Sequence, residues 1–271
     1  MTWMTPGSVA EAVELKAAHP DATVVAGGTF LGILTRQGLL DSDDWISLQA
    51  IPELREVDAG AELTLGAMVT HRRIELDPAV AGGWPGVQRA FAVVASPRVR
   101  NVATIGGVLA DADYASDPPA MLVALGAEVE ARSVRGTRRI PVADLILGHY
   151  ETSLADDELL TRVMVPGGRR RVTYRKLRTR SREDRPCVAV AAALHEGVVS
   201  VVVGAVAERP QVFRDLCAAW EPGDPGSARA VAAGYAERIE PIGDSRGSAA
   251  YRTRMVAVEV RRALETLGAA S

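Results

Sequence analysis

Apolar residues recur at helical spacing near the start of the chain. Ala10, Ala12, Val13, Leu15 and Ala18 share one face of a helix. Ser8 and Glu11 form the S-x-x-E capping box that opens it, and the pattern stops at His19-Pro20. Thr23-Val24-Val25-Ala26 is a short β-branched run, which predicts a buried strand. It leads directly into Gly27-Gly28-Thr29 and a second helix through Leu31, Ile33 and Leu34. Asp44 to Leu48 predicts another strand, so residues 1–55 read as a small α/β lobe.

From Glu62 to Gly66 the pattern changes to alternation. Thr70 caps a short helix, Gly82 to Gly86 reads as a loop, and Val87 to Val94 is apolar and helical until Ser96-Pro97 breaks it. Asn101 to Ala110 is rich in glycine and apolar residues, and Pro118-Pro119 sits where a helix tolerates proline, in its first turn. Glu128 to Ser133 and Arg138 to Pro141 flank Arg135-Gly136-Thr137, a hairpin signal. Leu159 to Val165 is a strand closed by Pro166-Gly167-Gly168, the natural end of a second unit spanning 56–168. In the third unit, 169–271, Val172 to Leu177, Val188 to Leu194 and Val198 to Ala207 predict three antiparallel strands, the last two joined at His195-Glu196-Gly197. Two helices follow, near 227–239 and 249–267. The second carries Tyr251, Met255, Val256, Val260, Leu264 and Leu267 on one side. The fold class is α+β.

Composition narrows the function. A hydrophobic fraction of 48% and a charged fraction of 24% are those of a globular protein. A net charge of −3 gives no global field toward nucleic acid or an anionic membrane. No apolar run reaches the roughly 20 residues of a membrane span, and the N-terminal residues lack a signal-peptide pattern, so the expected location is cytoplasmic. Cys187 and Cys217 have no CxxC spacing and cannot supply the four ligands of an iron–sulfur cluster. His19, His71, His149 and His195 show no ligand spacing. Asp111, Asp113 and Asp117 cluster without the glycine and glutamate of a calcium loop, so no metal is expected. Arginines between Arg169 and Arg185 alternate with Val172, Tyr174 and Leu177, as on a solvated strand face or a protein interface. No hydrolytic triad is visible, and no catalytic side chain is assigned.

Two segments stand out: Val25-Ala26-Gly27-Gly28-Thr29-Phe30-Leu31-Gly32 and Thr104-Ile105-Gly106-Gly107-Val108. Each pairs a glycine doublet with an apparent strand. Glycine permits positive φ and close backbone approach, and freed N–H groups can hold phosphate. Neither segment is a P-loop, because no G-K-[ST] follows, and neither is GxGxxG. Alone, each doublet is ordinary turn punctuation; together they suggest two phosphates of one ligand held between two lobes.

The stretch Ala95 to Ala120, ASPRVRNVATIGGVLADADYASDPPA, is similar to the ASPxxRNxATIGGNLAxAxPxSDxPP pattern of the FAD-binding subunits of carbon monoxide dehydrogenase, xanthine dehydrogenase and their relatives. VVAGGT at Val24–Thr29 resembles the same family's first motif. Tyr174-Arg175-Lys176-Leu177, Ser181-Arg182-Glu183-Asp184, Val188 to Leu194 and Gly247 to Arg252 resemble its later segments, in order.

The resemblance implies a two-lobed FAD-binding fold of the PCMH type followed by a C-terminal domain with a three-stranded antiparallel sheet and helices. It implies that Val25, Ala26, Gly27, Gly28, Thr29, Phe30, Leu31 and Gly32 wrap the FAD pyrophosphate. Thr104, Ile105, Gly106, Gly107 and Val108 take its other side. Asp117 contacts the cofactor, Leu160 packs near it and Lys176 lies at its edge. Phe30 stands where the family carries a polar or acidic residue, and Val108 where it carries Asn or Asp. Each change removes a side-chain hydrogen bond, a net loss of about 0.5–1.5 kcal/mol. The implied activity is electron transfer from molybdopterin and iron–sulfur partner subunits through FAD to NAD⁺, oxygen or another acceptor. The alternatives are a stand-alone flavoenzyme acting on a small molecule and a non-catalytic protein that has lost FAD.

Overall fold

The computed structural model describes residues 2–269. The chain opens with β1 (Thr2–Met4), α1 (Val9–Ala18), β2 (Thr23–Val25), α2 (Leu31–Arg36) and β3 (Asp44–Ser47). The strands form a parallel sheet in the order β1-β3-β2, with Trp3 opposite Trp45 and Val24 opposite Ile46. Ser8 caps α1 by accepting from the Glu11 N–H, and Glu11 reaches back to the Gly7 N–H at 2.8 Å. β1 was not foreseen, because a three-residue strand has no measurable period.

The next stretch begins with β4 (Val57–Ala59), β5 (Glu62–Gly66), α3 (His71–Leu76), α4 (Pro78–Gly83), α5 (Pro85–Ala92), α6 (Pro97–Arg100), α7 (Ile105–Ala110) and α8 (Pro118–Ala124). It continues with β6 (Glu128–Ser133), β7 (Gly136–Pro141), α9 (Val142–Leu145), β8 (Ile146–Gly148), β9 (Glu151–Thr152) and β10 (Leu159–Pro166). Its main sheet is antiparallel, in the order β4-β5-β10-β6-β7. β6 alternates half-buried and buried positions, as expected of a strand with one face on the core. The loop expected at Gly82 to Gly86 is instead the junction of two helices. Asp77 caps α4 through the N–H groups of Ala79 and Val80, and Pro85 starts α5. Gly86 belongs to α5 because it packs on Val172 and Met121, where a side chain has no room.

The last stretch holds β11 (Arg171–Leu177), β12 (Val188–His195), β13 (Val198–Gly204), α10 (Arg214–Ala218), α11 (Pro225–Arg238) and α12 (Ala249–Ala269). The three strands pair antiparallel in that order, as the sequence predicts. β12 is apolar along its length because both of its faces are covered. Ala191 and Ala193 face the core shared with the preceding stretch, and Val188, Val190 and Ala192 face α11 and α12. The arginine-rich stretch is less solvated than its composition implies. Arg175 pairs with Glu259, Arg170 bonds the Leu125 carbonyl, and Arg185 pairs with Asp113. No helix among the described residues is long and apolar enough to cross a membrane.

The second glycine doublet is not next to a strand. Thr104 caps α7 by accepting from the Gly107 N–H, and both glycines lie in the first turn of that helix. Neither has a positive φ. Gly106 is glycine for contact: a Cβ there would lie 2.6 Å from the Ala67 Cβ and 2.8 Å from its carbonyl oxygen. Gly106→Ala should therefore destabilise the fold by about 1–3 kcal/mol, overriding alanine's advantage in helix propensity of about 1 kcal/mol. Urea denaturation checks this, with a lower midpoint at unchanged slope expected.

Candidate functional site

A cavity of about 490 Å³ lies where these stretches meet. One wall is the β2–α2 loop, from Ala26 to Leu31. A second is α7 with its cap, through Thr104, Gly106, Gly107 and Val108. The α7–α8 connection adds Asp111, Asp113, Ser116 and Asp117, and β10 adds Leu159 and Leu160. Glu183 and Arg185, between β11 and β12, complete the rim.

The β2–α2 loop is held by its neighbours and by α2, whose first-turn N–H groups donate to the Gly28 and Phe30 carbonyls. Gln49 donates to the Ala26 carbonyl at 2.7 Å. Gly27 lies so close to the Val102 carbonyl that any Cβ would overlap it. Gly28 adopts φ +66°, the left-handed region where β-branched residues are strongly disfavoured. The N–H groups of Gly27, Gly28, Thr29 and Phe30 meet no acceptor among the described residues, and all four residues line the cavity. Successive unpaired N–H groups around a left-handed glycine make a concavity suited to an anion.

The α7 wall is different. The Ile105 N–H donates to Val69, Gly106 to Ala67, Gly107 to the Thr104 hydroxyl and Val108 to the Thr104 carbonyl. These donors are consumed inside the protein. The second motif supplies a close-packed surface with no free first-turn N–H group. Val108 adds an apolar side chain to that wall.

Asp117 sits at the start of α8, yet its side chain caps nothing. One carboxylate oxygen accepts from Lys176 Nζ at 2.8 Å, and the other accepts from the Tyr174 hydroxyl at 2.8 Å. Lys176 also donates to the Val93 carbonyl at 2.9 Å. Both charged side chains are almost wholly buried, at 4% and 3% exposure. Burial pushes the Asp117 carboxyl up and the Lys176 ammonium down, and each charge opposes the other's shift. Burial also lifts the Tyr174 phenol well above its ordinary value, so it stays a donor.

Phe30 brings one aromatic ring to the cavity, other rings pack behind it, and charged groups complete the rim. Phe30 stacks on Tyr150 at 5.2 Å, Tyr150 on His149 at 3.8 Å, and His149 meets Tyr114 edge-on at 4.9 Å. Tyr150 has φ +63° and is half exposed. Arg185 pairs with Asp113, and Asp113 also accepts from the Ala115 N–H at 3.0 Å. The Asp111 carboxyl has no hydrogen-bond partner among the described residues, and its backbone N–H donates to the Gly107 carbonyl. Burial first, and the neighbouring Asp113 second, raise its carboxyl to about 7 against the opposing pull of Arg185.

Of the residues singled out in the sequence, Ala26 to Leu31, Thr104, Gly106, Gly107, Val108, Asp117 and Leu160 line the cavity. Val25, Gly32, Ile105 and Lys176 do not. Val25 is spent on the sheet, Ile105 is core, and Lys176 stands behind Asp117. Sequence reasoning missed His71, Tyr150 and Arg185, and gave Asp111 no role. His71 is buried, lines the cavity and bonds the Thr104 carbonyl at 3.2 Å; burial holds its imidazole near 4, hence neutral. Thr70 at its helix cap was the one local signal nearby. No group of three or more His, Cys, Asp or Glu among the described residues could hold a metal ion.

Residues 1–168 match the family model described as FAD binding domain in molybdopterin dehydrogenase, and residues 172–267 match that of the CO dehydrogenase flavoprotein C-terminal domain. The chain is 33% identical to the nicotine 6-hydroxylase medium subunit of Paenarthrobacter nicotinovorans, covering 98% of this chain and 97% of that one. It is 30% identical to the carbon monoxide dehydrogenase medium chain of Afipia carboxidovorans, covering 96% and 94%. The solved quinoline 2-oxidoreductase from Pseudomonas putida 86 superposes with a TM-score of 0.92 at 30% identity, covering 99% and 96%.

The buried pair behind the cavity generates a test. Lys176→Met leaves the Asp117 carboxylate buried without its cation and should cost about 3–5 kcal/mol at pH 7. Adding Asp117→Asn removes the stranded charge and should recover much of that loss. Thermal or urea unfolding of the single and double variants reads the difference.

Proposed function

The chain belongs to the family of FAD-binding flavoprotein subunits of molybdopterin dehydrogenases, and from that premise we propose that Gly27 to Phe30 hold the FAD pyrophosphate and that the bound flavin relays electrons between partner subunits and an acceptor. FAD is the cofactor of this family, and the chain is an oxidoreductase subunit with its PCMH-type fold. The four unpaired N–H groups on the cavity wall carry the assignment of the phosphate site. An anion gives them the acceptors that the protein withholds, and burial makes such charge-assisted bonds strong. The glycine contacts at Gly27 and Gly106 bring both walls close enough to enclose a ligand. The residues present therefore fit the cofactor.

When bound, FAD supplies the redox chemistry. The protein positions it. Ala26, Leu31, Val108 and Leu160 offer apolar surface that excludes water. Asp117 presents its carboxylate at the wall, fixed by Lys176 and Tyr174. Phe30 and Val108 cannot replace the polar contacts of their usual counterparts, so backbone N–H groups bear most of the phosphate binding.

The relatives' names describe subunits of hydroxylases and dehydrogenases. On that basis the partners of this chain are a molybdopterin subunit that oxidises the substrate and an iron–sulfur subunit that delivers electrons here, with NAD⁺ or oxygen as the final acceptor. The division of the chain into cofactor lobes at 1–55 and 56–168 and a C-terminal domain at 169–271 is part of the same reading.

Calorimetric titration tests the phosphate site. FAD should bind, and riboflavin, which has no phosphate, should bind at least about tenfold more weakly, since hydrogen bonds to charged groups contribute about 1.5–3 kcal/mol each. Gly28→Val should weaken FAD binding in a folded protein, because a β-branched residue resists φ +66°. Equal affinity for FAD and riboflavin, or a fully FAD-competent Gly28→Val variant, would place the phosphates elsewhere.

A further inference from the structure

Asp111 follows α7 and faces the cavity, yet it has no role in the architecture. Its neighbours are all otherwise engaged. Arg185, the cation beside it, pairs with Asp113. The first-turn N–H groups of α7 are spent inside the protein. Tyr150 stacks on Phe30 and His149. A half-buried carboxyl beside a second carboxylate, with no side-chain hydrogen-bond or ion-pair partner among the described residues, favours its neutral O–H form. It then has a proton to give and no protein acceptor to take it.

The place matters as much as the group. Asp111 lies at the rim, beside half-exposed Tyr150, exposed Arg185 and Glu183. Asp113 and Glu183, which line the same part of the cavity, would repel phosphate, so this end suits an uncharged part of the ligand. The Phe30 ring, which lines the cavity and leans on Tyr150, offers an aromatic surface for a planar ring. A redox ring must also lie near the surface to exchange electrons with another protein.

The geometry points to Asp111 as the proton donor and acceptor for the flavin ring during its reduction and reoxidation. The inference rests on FAD occupying this cavity. Two-electron reduction of FAD to FADH⁻ consumes two electrons and one proton. A one-electron donor such as an iron–sulfur centre supplies the electrons in two steps. Asp111 supplies the proton: its carboxyl O–H bond breaks as a flavin N–H bond forms. The carboxylate then recovers a proton from water at the rim, and reoxidation reverses the net change. Asp113, Glu183 and Arg185 are the charged groups facing Asp111, with Tyr150 the neighbouring phenol.

The sign of the pH effect follows. The oxidised protein holds the Asp111 proton up to about pH 7. Negative charge on the reduced flavin makes the carboxyl retain or regain its proton to higher pH. Above about 7 the reduced state therefore binds one more proton than the oxidised state. Each pH unit in that window should lower the two-electron potential by about 30 mV beyond the flavin's own dependence, since tenfold in an equilibrium constant corresponds to that shift.

The test is spectroelectrochemical titration of the FAD-loaded chain from pH 6 to 9, with dithionite as reductant, on the parent and Asp111→Asn. The parent should show the extra slope above about pH 7 and the variant should lose it. Redox-difference infrared spectra should show a protonated carboxyl band changing in the parent alone, a readout that does not depend on the variant's stability. Identical slopes and no such band would overturn the inference. Weaker FAD binding by Asp111→Asn with an unchanged slope would also overturn it, making Asp111 a ribose contact. A chain that does not take up FAD would instead sink the cofactor reading on which this rests.

Discussion

The contact between Gly27 and the Val102 carbonyl is the constraint on which the site depends. It presses the β2–α2 loop against the segment leading into α7, so tightly that only glycine fits. A loop pinned there has turned its N–H groups away from its own chain, and Gly28 completes the turn with a left-handed backbone. Unpaired donors thus face the cavity beside an apolar wall, where a ligand can accept from them. The second glycine motif serves the same end by another means. Its amides are satisfied, and its glycines let α7 lie flat on Ala67 so that the opposite wall is close.

Electrostatics tie the C-terminal sheet to this arrangement. Lys176 on β11 crosses to Asp117 and the Val93 carbonyl, and Arg185 crosses to Asp113. Farther out, Asp244 accepts from Arg252, Arg246 and Tyr114, which holds its carboxyl well below the usual range despite the opposing effect of burial. Tyr114 belongs to the α7–α8 connection and touches the aromatic row at the rim. The cavity is therefore braced by residues distant in sequence, and disturbance of the C-terminal sheet reaches the cofactor wall through named ion pairs.

Much of this was legible in the sequence. Period-two and helical patterns gave β5, β6, β10 and the three strands of the last sheet, because each buries one face or two in a regular way. The strand–Gly–Gly–helix order gave the β2–α2 loop, since backbone demands there are local. The second motif misled because Thr104-Ile105 looks like a strand, whereas the Thr104 hydroxyl caps a helix. The stretch Gly82 to Gly86 misled because α4 runs through Gly83 and Pro85 starts α5, with Gly86 packed on Val172 and Met121. Lys176, singled out by family resemblance, stands behind Asp117 through a contact across the fold that no local pattern encodes. Asp111 looked like one of three similar aspartates; only its lack of a side-chain partner distinguishes it, since Asp113 pairs with Arg185 and Asp117 with Lys176.

The central claim is that the first glycine motif, through its free amides, binds the cofactor's phosphates, and the second shapes the wall. Amide hydrogen exchange with and without FAD measures this directly. The account predicts marked new protection at Gly27 to Phe30, whose N–H groups have no protein acceptor, and little change at Ile105 to Val108, whose N–H groups are already bonded. New protection at Ile105 to Val108 with none at Gly27 to Phe30 would contradict it.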